Sequence, residues 1–218
     1  MANARPTILI FCWATLDDVM LAPLRGRANV HQASYETVDG PVALLNEHPS
    51  ARAIWIVDCD IARPEYKDFS DRVVEYARSG GRVILGGLFP INILALELDN
   101  WMRDAWGLPW RYGRYEKTTV VFQDSADGPH HLWWSGLVYS YSPKAVFLTD
   151  VAPSDSWYAS DPESVSESWV LEPVEAQTAV AFGKVGEGWL GWIGDVYNLP
   201  ESGLAMRAMM GLNVREGD

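Results

Sequence analysis

Residues 53–98 read AIWIVDCDIARPEYKDFSDRVVEYARSGGRVILGGLFPINILALEL, and their punctuation decides the fold. The runs 53–57 (AIWIV) and 82–85 (RVIL) are apolar without alternation, the pattern of strands covered on both faces. Between them Tyr66, Phe69, Val73, Tyr76 and Ala77 recur at helical spacing, which predicts a helix over 64–79. Pro64 suits its first turn, Glu65 and Asp68 the positive end of its dipole, Arg72 and Arg78 the negative end, and Gly80 a left-handed cap. Gly86 and Gly87 then lead directly into a second helical stretch over 90–106, with Ile91, Leu94, Leu98, Trp101 and Met102 on one side and Gly107 beyond its end.

Outward from this unit, 7–13 (TILIFCW) is a third continuous run, and three such runs point to a parallel sheet. Further strands are expected at 118–122, 145–148 and 178–182. Gly186 and Gly188 turn the last of these into 189–193 as a closing hairpin. A final helix after Pro200 is expected to bury Leu204, Ala205, Ala208, Met209 and Leu212. The expected fold class is α/β, a three-layer sandwich around a mainly parallel sheet with an antiparallel C-terminal hairpin. At 218 residues the chain fits a single domain, 1–218.

Composition narrows the function classes. Hydrophobic residues at 48% and charged residues at 21% are globular values, which excludes disorder and a disulfide scaffold. Seventeen basic against 29 acidic residues give a net charge of −12, so nucleic acid and anionic membrane surfaces are excluded as partners. Cys12 and Cys59 lie in or beside apolar runs and suit a reducing, cytoplasmic setting. The run after Arg5 is too short for a signal peptide and lacks a small-residue cleavage site, and no stretch is long enough to span a bilayer. Between Lys144 and Lys184 there are seven acidic residues and no basic one, and the segment 150–168 reads as an irregular surface loop, a lid or a partner-binding segment. The 11 tryptophans fall mostly in expected strands and helices and read as core.

The stretch 53–98, with its Gly80–Gly81 pair, RVILGG elbow and following helix, resembles the class I glutamine amidotransferase-like superfamily, nearest to its trehalose-utilisation (ThuA-like) branch. The tail AFGKVGEGWLGWIGDVYNLPE is similar to that superfamily's closing hairpin, loop and helix. The resemblance implies a flavodoxin-like sandwich. It also implies a nucleophilic cysteine on the elbow and a histidine after the last strand. Here the elbow reads Leu85, Gly86, Gly87, Leu88, Phe89, the final loop reads Asp195, Val196, Tyr197, Asn198, and His31, His48, His130 and His131 all lie elsewhere. The Cys/His catalytic residues are missing, which excludes glutamine amidotransferase and cysteine-protease chemistry. Cys59 is no substitute, since Asp58 and Asp60 disfavour its thiolate by like charge.

Open parallel sheets bind ligands outside the carboxyl ends of their strands. The candidates expected there are Asp17, Asp18, Asp58 and Asp195 as catalytic acids, with Trp13, Thr15, Asp60, Gly86, Gly87, Leu88, Gln123, Asp124 and Asn198 as ligand-binding residues. In the superfamily that this chain resembles, some members carry an acid after the first strand, a place similar to that of Asp17 or Asp18. The simpler alternative is that these acids satisfy loop amides and helix N-termini. The elbow amides of Leu88, Phe89 and Ile91 offer a spot suited to an anion. Adjacent His130 and His131 without a cysteine pair do not make a metal site, and GKVGEG precedes a strand instead of a helix, so no metal and no cofactor are expected. Two functions remain. One is a catalytically degenerate protein that binds a small polar ligand or a protein partner, homo-oligomers included. The other is a carboxylate-based hydrolase or isomerase acting on a sugar-like or other small metabolite.

Overall fold

The computed structural model describes residues 5–37, 39–124, 136–164 and 177–212. In chain order the elements are β1 Thr7–Cys12, α1 Asp18–Arg25, β2 Asn29–Ser34, α2 Asp39–Glu47, β3 Ala53–Ile56, α3 Lys67–Arg78, β4 Arg82–Leu85, α4 Phe89–Asn92 and α5 Ala95–Trp101. They continue with β5 Arg111–Lys117, β6 Val120–Phe122, β7 Ser140–Tyr141, β8 Lys144–Thr149, β9 Ser156–Ser160, β10 Thr178–Val185, β11 Gly188–Ile193 and α6 Pro200–Met209. Short 3-10 turns at Cys59–Ala62 and Pro64–Tyr66 carry β3 into α3.

These strands form one sheet in the order β2-β1-β3-β4-β11-β10-β9-β6-β7, with a β5–β8 ribbon branching from β10. The ladders β1–β2, β1–β3, β3–β4 and β4–β11 are parallel. Those of β10 with β11, β8 and β9, of β5 with β8, and of β6 with β7 and β9 are antiparallel. The expectation of a mainly parallel, flavodoxin-like sandwich is therefore corrected: the sheet is mixed, with antiparallel ladders the more numerous. The reason lies in the connections. A parallel crossover needs a dozen or more residues, usually a helix. Only two residues separate β10 from its neighbour β11, and β8 and β9 pair antiparallel with β10 in turn.

In the parallel half, side chains alternate between two cores. Leu9, Phe11, Ile54, Ile56, Val83 and Leu85 meet Phe69, Val73 and Ala77 of α3 and Leu98 of α5 on one face. Ile8, Ile10, Ala53, Trp55 and Ile84 meet Leu21 and Leu24 of α1 and Ala205, Ala208 and Met209 of α6 on the other. The helix expected over 64–79 forms as α3 with its turn at Pro64. The helix expected over 90–106 breaks at extended Ile93 and Leu94, then ends in a π-turn over Met102–Trp106 at left-handed Gly107, φ +71°. Within the acidic segment Trp157 and Tyr158 are buried and Ser156–Ser160 joins the sheet as β9, so that stretch is ordered sheet; residues 165–168 lie outside the described residues. No helix among the described residues is long and apolar enough to cross a membrane.

The two halves join at Gly194. Its amide donates to Ala179 O (2.9 Å), its carbonyl accepts from the Val146 amide (3.0 Å), and Trp192 Nε1 donates to Val146 O (3.1 Å). A Cβ on Gly194 would overlap Val146 O and crowd Ala179 O. Gly194→Ala is therefore expected to destabilise the protein by about 3 kcal/mol or more, read as a lowered urea midpoint at unchanged m-value.

Candidate functional site

The loops after β1, β3, β4 and β11 meet at the carboxyl edge of the parallel half. The Trp13 amide donates to Asp58 Oδ2 (2.7 Å), tying the first two loops together. Asp58 is buried, and that burial raises its carboxyl pKa; the Trp13 bond opposes the rise and Asp60 adds to it. Asp60 is buried beside it and paired with Arg63 (2.6 Å). Burial is the first cause that pushes the Cys59 thiol up to about 11, with Asp60 and Glu97 adding to it. Desolvation thus outranks the like charge expected from sequence, and Asp58 is not among the contributors.

The remaining acids also serve the backbone. Asp17 caps α1 by accepting the Met20 amide (2.8 Å), and exposed Asp18 pairs with Arg25. Asp195 is buried and accepts the amides of Tyr197 (3.0 Å) and Leu199 (2.6 Å), shaping the loop into α6. Thr15 is exposed and Trp13 is 44% exposed on the outer side of this edge. Gln123 and Asp124 do not reach it. β10 runs antiparallel to β11, β9 to β10 and β6 to β9, so β6 ends toward the opposite edge, and Gln123 Nε2 donates to Val121 O (2.9 Å).

The elbow is tight. Gly87 has φ +71°, a conformation that glycine tolerates best. A Cβ on Gly87 would sit 3.0 Å from Val57 Cγ1, and one on Gly86 3.2 Å from Ile193 Cβ. The Phe89 amide turns back to Gly86 O (3.4 Å), and the following α4 is only four residues long. Leu88 projects to solvent, 53% exposed. His31 and His48 pack against each other with tilted rings (centroids 4.2 Å apart) away from the elbow, while His130 and His131 lie outside the described residues.

Of the expected site residues, Gly87 and Asn198 open onto a cleft of about 560 Å³ between α1 and α6. Val19, Met20, Pro23 and Leu24 form one wall, Leu204 and Met206 the other, and Trp55 the floor. Arg27 and Arg207 are its charged residues; no carboxylate lines it. Asn198 (φ +53°) sets the rim. Sequence reasoning missed both arginines and Trp55. The available signal was Arg207 itself, a charge set among Leu204, Ala205, Ala208 and Met209 on the apolar side of the last helix. A second groove of about 700 Å³ lies at the opposite sheet edge, and several of its polar groups are engaged: Tyr76 Oη donates to Ala51 O (2.8 Å), Arg82 Nη1 to Met209 O (3.0 Å) and Arg72 Nη1 to Asn46 Oδ1 (3.4 Å). Among the described residues no cluster of metal-ligating side chains occurs.

No family model matches the chain, and no curated protein matches it. Among solved structures it is similar to a cytoplasmic protein from Salmonella typhimurium LT2, with TM-score 0.54 and 13% identity over 95% of this chain and 97% of the other. A second cytoplasmic protein from Salmonella typhimurium gives TM-score 0.55 and 15% identity over 95% and 99%. A β-galactosidase from the Antarctic haloarchaeon Halorubrum lacusprofundi gives TM-score 0.55 and 17% identity over 99% of this chain but 32% of the enzyme, about a third of its length. At such identities the likeness is one of fold alone. These similarities do not support the glutamine amidotransferase-like, ThuA-like and flavodoxin-like descriptions, and the mixed sheet overturns the last of them.

The raised Asp58 pKa has a definite sign in stability. The native state keeps this proton to higher pH than the unfolded chain, so the contribution of Asp58 is largest in acid and declines as pH rises from the usual carboxylate range through its native value. Asp58→Asn keeps an acceptor for the Trp13 amide and removes the titration. The difference in unfolding free energy between variant and parent is expected to move in the variant's favour between about pH 4 and 7, checked by urea titrations across that range.

Proposed function

We propose that the protein is a non-catalytic binding protein whose ligand is a small molecule lodged in the cleft between α1 and α6. The observation that carries this reading is the cleft's lining: apolar walls, a tryptophan floor, two arginines and no carboxylate. Its volume of about 560 Å³ suits a small organic molecule. The enzyme reading has less support, because Asp17, Asp18, Asp58, Asp60 and Asp195 each engage a backbone amide or an arginine of the protein itself. The tight elbow, where a Cβ at Gly86 or Gly87 would crowd Ile193 or Val57, also favours binding over catalysis.

A protein partner or a second copy is the second reading, favoured by the exposed apolar run of Leu88, Ile91, Leu94 and Leu96 beside the elbow. We also propose a cytoplasmic location, on the unbridged cysteines and on the similarity to two Salmonella proteins described as cytoplasmic.

Methionine methyl groups report on the cleft directly. Met20 and Met206 line it, whereas Met102 is packed in the core on the other face of the sheet. With 13C-methyl-methionine protein, titration with 1-decanol is expected to shift the Met20 and Met206 signals and leave Met102 in place. Unmoved Met20 and Met206 signals at saturating probe, or a uniform shift of all methyls, would contradict the reading.

A further inference from the structure

Resting on the cleft as a ligand site, we propose that its ligand is a monoanionic amphiphile, with the anionic head on the Arg207 guanidinium and the apolar chain along Met20, Pro23 and Leu204. Arg207 lies on α6 and is only 8% exposed. Its Nε is shut off from solvent with no hydrogen-bond partner, and among the described residues no carboxylate pairs with the guanidinium. The side chain runs back toward the start of α6, as helical side chains do. Its Nη1 lies 3.4 Å from where a Cβ on Gly203 would sit, and Gly203 is part of the cleft wall.

A buried charge without a partner is unfavourable in the empty protein, and an anion entering the cleft relieves that penalty as it binds. Trp55, whose ring lies in the floor beneath Gly87, carries a second buried donor without an acceptor at Nε1, on the Gly86 side. Arg27 adds positive charge at the same end: it is near enough to disfavour the charged form of Arg207, second only to burial. The walls explain the rest of the ligand. Val19, Met20, Pro23, Leu204 and Met206 offer an alkyl chain a continuous apolar surface. The net charge of −12 selects further, because long-range repulsion acts most strongly on polyanions and least on a single charge.

The test is isothermal titration at pH 7.5 with decanoate, 1-decanol and decyltrimethylammonium, which differ chiefly in the head group. Decanoate is expected to bind at least tenfold more tightly than decanol, and the cation not at all. In Arg207→Met the decanoate affinity should fall at least tenfold, with that of decanol changing far less. The melting temperature of the ligand-free variant should equal or exceed that of the parent, because an unpaired buried charge has been removed. Arg207→Gln serves the same purpose if the methionine variant fails to fold. Decanol binding as tightly as decanoate, or a preference for decanoate that survives at position 207, would overturn the anionic head and leave the cleft reading standing. Absence of binding by both decanol and decanoate would overturn the cleft reading and this inference with it.

Discussion

β11 has to satisfy two neighbours of opposite direction, and the architecture depends on how it does so. One edge pairs in parallel with β4 from Trp189↔Arg82 to Trp192↔Leu85, and the other pairs antiparallel with β10 from Val185↔Gly188 to Val180↔Ile193. At its end Gly194 comes within hydrogen-bonding distance of Ala179 on β10 and Val146 on the further strand β8, an approach that a β-carbon would block. Glycine recurs within the strand for a related reason. A Cβ on Gly191 would lie 2.9 Å from Met209 Sδ, so its absence lets α6 settle onto the sheet.

That seating positions the cleft. The carboxyl end of α6 is held close by Gly191 and by Arg82, whose Nη1 donates to Met209 O. Its amino end is set by the Asp195 loop, where one carboxylate organises two amides. α1 packs through Leu21 and Leu24 on the same face and leaves Val19, at 82% exposure, and Met20 at the mouth. Two helices anchored to one sheet face by separate contacts leave a gap between them, floored by Trp55 and closed at the elbow by Gly87. The acids that looked chemically suggestive hold the loops around this gap in place, and the charge available to a ligand inside it is positive.

Much of the parallel half was legible because its strands are buried on both faces and therefore read as unbroken apolar runs; 82–85 matches β4 to the residue. The closing hairpin was legible from Gly186, which sits at φ +59°, and Gly188. β2 was not, because an edge strand reading NVHQAS is half exposed and offers no apolar run. β5 escaped notice for the same reason: only Glu116 of RYGRYEK is buried. β9 was obscured by the serines and acids around its Trp157–Tyr158 pair. The site was less legible than the fold. Position after a strand was enough to list Asp58 and Asp195, but whether such an acid faces a ligand or a backbone amide depends on loop geometry, which a linear pattern does not encode. Arg27 and Arg207 are 180 residues apart in sequence and meet only because α1 and α6 share one sheet face.

This cleft, and neither the elbow nor the carboxylate loops, is where we propose that the protein meets its ligand. A crystal structure of the protein grown with decanoate tests this most directly. Electron density is expected for the alkyl chain between α1 and α6, with the carboxylate on the Arg207 guanidinium. Density for the carboxylate at the Gly86–Gly87 elbow or beside Asp58, with the α1–α6 cleft empty, would contradict it.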